Sequence, residues 1–258
     1  MTPLDGRIVL ITGAAERAGA QIALAFAAAG ATVFVNHLGQ SAQARELADH
    51  ADGVPGSGRV RPVEADIADP TASRAMVDAI VGEAGRIDLL LHNASSFRPR
   101  PFLELEVADV DASLGVNLRG PLFLSQAVAA VMMAQGDGRI LAILGNSLSE
   151  SWPELVPHVV GKSALGRLME QLAVALSPIV ACNSVAPTQF YRSDDGVNDD
   201  LRAARGETPV HGELSEVKGI PIRETALRDV IDVLLFLADA PRSLTGATIP
   251  VDGGRRLV

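Results

Sequence analysis

The sequence predicts a three-layer α/β domain built on a doubly wound parallel sheet. Short apolar runs recur along the chain, segments of helical periodicity separate them, and the runs lack the polar alternation of a sheet with one wet face. Strands covered by helices on both faces require that pattern.

The first strand is expected at Ile8 to Ile11, followed by a helix with apolar positions at Ile22, Leu24, Phe26 and Ala29. Further strands are expected at Thr32 to Val35, Leu89 to Leu91, Ile140 to Leu144 and Ile179 to Val185. Residues 188–221 break the rhythm, being polar and rich in Asp, Gly and Glu, and are read as an irregular substrate lid. The rest of residues 1–258 reads as one domain, since 258 residues that are 48% apolar can bury a sizeable core.

The net charge of −9, with no Lys or Arg stripe on any helix, gives nucleic acid no electrostatic footprint. A lone Cys182 excludes an internal disulfide, and Met1 leads into a strand without a basic leader, which fits a cytoplasmic enzyme. Apolar runs such as Ile140 to Leu144 fall far short of the ~20 residues of a membrane span, so no membrane partner is expected. No metal site is expected; the expected partner is a small-molecule substrate.

After the first strand stands Thr12-Gly13-Ala14-Ala15-Glu16-Arg17-Ala18-Gly19, running into a helix. Gly13 suits a tight turn and Gly19 close packing, and the helix N-terminus offers N–H groups to a pyrophosphate.

Together with Ala65-Asp66-Ile67, Asn93-Ala94, Asn117, Lys162, Asn183 to Pro187 and Val251-Asp252-Gly253-Gly254, this ordered set resembles the short-chain dehydrogenase/reductase family across the whole chain. The resemblance implies a Rossmann fold and a homo-oligomer, dimer or tetramer. It implies a dinucleotide held by Gly13, Glu16, Arg17 and Ala18 at the phosphates and by Ala65, Asp66 and Ile67 at the adenine. Asn93, Ala94, Ser95, Lys162, Pro187 and Thr188 would serve the ribose and nicotinamide. At the second strand's end, where an acidic side chain would bind ribose hydroxyls and repel a 2′-phosphate, stand Asn36, His37, Gln40 and Ser41. With Arg17 near, these donors favour NADP(H) over NAD(H).

Arg17, where most of the family has glycine, and Asn93-Ala94-Ser95-Ser96-Phe97 further resemble the pteridine reductases. That likeness implies that Arg17, Ser95 and Phe97 contact a flat substrate, with Phe97 stacking on it. The catalytic positions depart from the family. Where it has a tyrosine four residues before the lysine, this chain has His158 before Lys162; the sole tyrosine, Tyr191, lies in the lid segment. Thirteen residues earlier, where serine or aspartate is usual, stands Gly145, with Asn146 and Ser147 beside it. Asn117 matches an asparagine that in the family holds a water near the lysine. Proline followed by glycine is usual where Pro187-Thr188 stands.

Three functions follow as expectations. The first is an atypical NADPH-dependent reductase of a small planar C=N, C=O or activated C=C substrate. In it His158 acts as the acid through a pKa near ~6.5, or the proton comes from substrate or water. The others are a non-catalytic dinucleotide-binding sensor or partner subunit, and a non-redox enzyme reusing the pocket.

Overall fold

The computed structural model describes residues 4–54, 57–188 and 214–258. Its centre is a seven-stranded, all-parallel sheet of β1 (Ile8–Ile11), β2 (Thr32–His37), β3 (Arg59–Glu64), β4 (Leu89–His92), β5 (Gly138–Ile143), β6 (Val180–Pro187) and β9 (Thr248–Val251). The spatial order β3-β2-β1-β4-β5-β6-β9 reverses direction between β1 and β4. The crevice beyond the carboxyl ends of those two strands is where ligands bind such sheets.

Successive side chains of a strand face opposite ways, and β1 shows the consequence. Val9 and Ile11 enter one core, with Ile22 and Phe26 of α1 (Arg17–Ala28), Leu47 of α2 (Ser41–Asp52) and Leu234 of α7 (Leu227–Asp239). Leu10 enters the other, with Ile80 of α3 (Pro70–Ala84), Leu124 and Met132 of α5 (Gly120–Gln135) and Leu165 of α6 (Val156–Ala175). Each fully buried side chain of this size contributes ~1.5–3 kcal/mol. Two dry layers on either side of one sheet are the three-layer architecture the sequence predicts.

Three differences have physical reasons. β3 escapes the apolar-run reading because it is an edge strand carrying Arg59, Arg61, Pro62 and Glu64, residues an edge tolerates and a central strand does not. The segment read as irregular ends in regular structure: β7 (Leu214–Val217) and β8 (Ile220–Arg223) pair as an antiparallel hairpin. Its two-residue turn places Lys218 at φ 51° and Gly219 at φ 78°, the left-handed pair that matches strand twist. Residues 189–213, with Tyr191, lie outside the described residues.

The third difference is the helical run Val107–Gln135, long and apolar enough to cross a membrane by length and composition alone, which the reading of short apolar runs passed over. Half of its apolar window is buried within the protein. It comprises α4 (Val107–Leu114), a π-helical turn (Gly115–Arg119) and α5, whose Leu124, Val128 and Met132 line the second core.

Candidate active site

The site assembles at the carboxyl edge of the sheet, starting from the turn after β1. Gly13 takes φ 58°, and a Cβ there would fall 2.9 Å from Ala94 Cα. A Cβ on Gly19 would fall 2.7 Å from Ala14 Cα and Gly13 O. Only glycine permits these approaches. Asn93 ties the turn to β4, its Nδ2 donating to Thr12 O and Gly13 O, both at 2.9 Å. The Thr12 hydroxyl accepts from the backbone N–H of Asn93 and of Ala94, each at 3.1 Å.

Glu16 precedes α1 without a side-chain cap, and the first helical turn holds no acid. Its N–H groups and helix dipole therefore face the crevice beside Ala18, which suits an anionic pyrophosphate. Arg17 holds a left-handed φ of 56°, which explains why glycine is the easier occupant of this position.

At the adenine end, Asp66 Oδ1 accepts from Ala68 N at 2.8 Å, Ala65 N donates to His37 O at 3.0 Å, and Ile67 is buried. The phosphate-donor role assigned to Asn36 does not fit the geometry. Its Oδ1 accepts from Gly13 N at 3.3 Å and its Nδ2 donates to Ala65 O at 2.9 Å, so the buried amide braces the glycine turn. His37 is also buried, with Nδ1 unpartnered, and Ser41 Oγ donates to Glu64 Oε2 at 3.3 Å.

The end expected to be catalytic centres on the backbone of Ser96. Asn117, in the π-helical turn, receives Ser95 Oγ at 3.1 Å and Ser96 N at 3.2 Å on its Oδ1, and donates through Nδ2 to Ser96 O at 2.9 Å and Ser113 Oγ at 3.2 Å. Its side-chain amide is thus occupied in fixing the 95–96 segment. A π-turn at a functional position is common.

His158 Nδ1 lies 3.0 Å from that same Ser96 carbonyl. A carbonyl oxygen only accepts, so Nδ1 carries the proton, and in the neutral ring Nε2 presents a lone pair. Burial, then the charge of Lys162, push the His158 pKa down to about 4, against a smaller upward pull from Ser96. Burial thus favours a neutral imidazole near neutrality over the acid with an ordinary pKa that the sequence suggested, with the Nε2 lone pair facing away from Ser96. Lys162 donates from Nζ to Ile143 O at 2.8 Å, and burial lowers its pKa to about 8.

Phe97 meets His158 edge to face at 5.0 Å, and Trp152 lies parallel to His158 at 6.5 Å and edge-on to Phe97 at 5.8 Å. Sequence reasoning missed Trp152, although it is the only tryptophan and stands six residues before His158. Gly145 is more than a lost serine. Its φ of 86° and ψ of 177° fall in a region closed to other residues. Ser147 turns its hydroxyl back to Leu144 O at 3.4 Å. Pro187 ends β6, and Thr188 donates from its N–H to Val251 O at 3.2 Å and shares a 2.7 Å hydroxyl contact with Thr225.

Fold and crevice define a dinucleotide-type α/β protein. Residues 7–195 match the family described as short chain dehydrogenase, and the chain belongs to that family of oxidoreductases. It is 32% identical to D-threitol dehydrogenase of Mycolicibacterium smegmatis, over 97% of this chain and 93% of that enzyme. It is also 32% identical to L-xylulose reductase of Mus musculus, over 97% of each. Among solved structures it resembles a gluconate 5-dehydrogenase from Burkholderia cenocepacia in complex with NADP and tartrate, with a TM-score of 0.81 and 28% identity over 99% of this chain and 97% of that one. The family uses nicotinamide cofactors, and the glycine cradle and uncapped helix start fit one.

Proposed function

We propose that this chain is a nicotinamide-dependent oxidoreductase of a small planar substrate with a C=N, C=O or activated C=C group, and that His158 stands in for the usual hydroxyl-bearing residue. The observation that carries this reading is the cluster of Phe97 and Trp152 around an imidazole whose Nδ1–H is fixed. Only nine residues of the chain are Phe, Trp or Tyr, so two of them beside His158 indicate a flat ligand.

Gly13, Glu16, Arg17 and Ala18 would hold the pyrophosphate, Asp66 and Ile67 the adenine, and Asn93, Ala94, Ser95, Pro187 and Thr188 the nicotinamide half. Bound nicotinamide supplies or accepts the hydride. Lys162, still mostly protonated at neutral pH, donates to the ribose hydroxyls as it does to Ile143 O. Asn117 holds Ser95 and Ser96 in register, and the Ser96 carbonyl aims the ring. His158 Nε2 accepts the proton released when a substrate hydroxyl or amine is oxidised. In the reducing direction the same Nε2 returns a proton taken up from water or from the substrate's own protonated form. The protein works as a cytoplasmic homo-oligomer.

A second reading, a small polyhydroxylated alcohol or ketone as substrate, is favoured by the two relatives at 32% identity. The test is to follow nicotinamide absorbance with dihydropterins, cyclic imines, ketones and C4–C5 polyols, for wild type, His158→Phe and Lys162→Ala. Turnover of flat substrates lost in both variants supports the proposal, and turnover of polyols alone supports the second reading. Tight nucleotide binding without turnover of any substrate overturns both in favour of a sensor or partner subunit.

A further inference from the structure

The ends of β2 and β3 bring a carboxylate where the sequence suggested only donors. His37 and Glu64 are register partners, and each is the last residue of its strand. Beyond them Glu64 reaches across to the loop after β2. Its Oε1 accepts from Gly39 N at 3.1 Å and its Oε2 accepts from Ser41 Oγ at 3.3 Å. Other polar groups of that loop are also engaged, although His37 Nδ1 has no partner. Asn36 braces Gly13 and Ala65, Gln40 Oε1 accepts from Leu38 N at 3.1 Å, and Arg45 donates from Nε to Ser41 O at 3.0 Å. The backbone N–H and hydroxyl that an anionic 2′-phosphate would need are therefore already bound to an anion supplied by the protein.

We infer that Glu64 is a specificity-determining residue that selects a dinucleotide with a free ribose 2′-hydroxyl, so that the protein prefers NAD(H) to NADP(H). The inference rests on the dinucleotide reading above and reverses the preference expected from β2. The usual logic of such sites places an acid at the end of the second strand, where it accepts from ribose hydroxyls and repels a phosphate. Here that position holds His37, and the neighbouring strand delivers the charge instead. A hydroxyl donates to a carboxylate; a phosphate placed against Gly39 and Ser41 has to displace it and then sit beside it. Arg45, whose Nε donates to Ser41 O at 3.0 Å, is a nearby cation that softens this repulsion, so the discrimination is finite.

The test uses the emission of reduced nicotinamide to titrate the full-length protein with NADH and NADPH, for wild type, Glu64→Gln and Glu64→Ala. Glutamine retains an oxygen for Gly39 N, and thermal melts verify that each variant folds. The expected result is NADH binding about tenfold tighter than NADPH in wild type, with the ratio falling to about one in Glu64→Gln through tighter NADPH binding. NADPH preferred by wild type, or a ratio unchanged in both variants, overturns the role of Glu64 while leaving the dinucleotide site standing. Binding of neither nucleotide by folded wild type overturns the dinucleotide reading and this inference with it.

Discussion

Replacing His158 by asparagine isolates the energetic signature of a buried neutral imidazole, because the asparagine amide can keep the donor to Ser96 O while losing the titration. The folded-state pKa is depressed to about 4 from an ordinary 6.5. The contribution to stability is therefore complete above the ordinary value and is lost as pH falls towards the folded value. Over that window the unfolded chain takes up a proton that the folded chain refuses, at about 1.4 kcal/mol per pH unit. Between 6.5 and about pH 5 the loss amounts to about 2 kcal/mol. His92, also buried and pushed down to about 3 mainly by desolvation, adds a similar slope, but it is present in both proteins and cancels. Urea unfolding of both proteins near neutrality and at about pH 5 should show wild type losing about 2 kcal/mol more than His158→Asn. Equal losses would refute the neutral, Ser96-bound imidazole and the proton-accepting role built on it.

Lys162→Met should stabilise the fold at neutral pH by ~1–3 kcal/mol in urea melts, since burial lowers the lysine pKa to about 8 and its charge is held at a cost, while turnover is lost. Arg17→Gly should raise stability by about 1 kcal/mol by relieving the left-handed φ of 56° and should weaken nucleotide binding in fluorescence titrations. Gly145→Ser, which restores the family's residue type, should cost ~1–3 kcal/mol and leave turnover no higher, because φ 86° with ψ 177° bars a side chain there.

The central strands were legible because a run such as Ile8–Ile11 is apolar on both faces, and the glycine turn because Gly13 and Gly19 stand between a strand and a helix. β3 was not, since an exposed edge is free to carry charge, and with β3 unseen nothing placed Glu64 beside Ser41. Residue types also say what a side chain can do without saying what occupies it. Asn36 and Ser41 both read as available donors, and each is engaged within the protein. The histidine at the tyrosine position was visible; its tautomer and neutrality depend on a backbone carbonyl and on burial, which no motif encodes.

The π-helical turn at Gly115–Arg119 makes chain length itself a functional variable. Such a turn holds one more residue than an α-helix would pass through the same rise, so it works as a spacer wound into the rod. Deleting a single residue there would let the rod revert to regular winding with the flanking turns still in register, but would turn the residues inside the bulge off their present directions. Asn117 would then face away from Ser95 and Ser96, and the carbonyl that aims His158 would lose its anchor. Insertions and deletions are normally cheap in loops and expensive in cores. Here the intolerant position is a half-buried stretch of helix whose length, as much as its Asn117 side chain, sets the site.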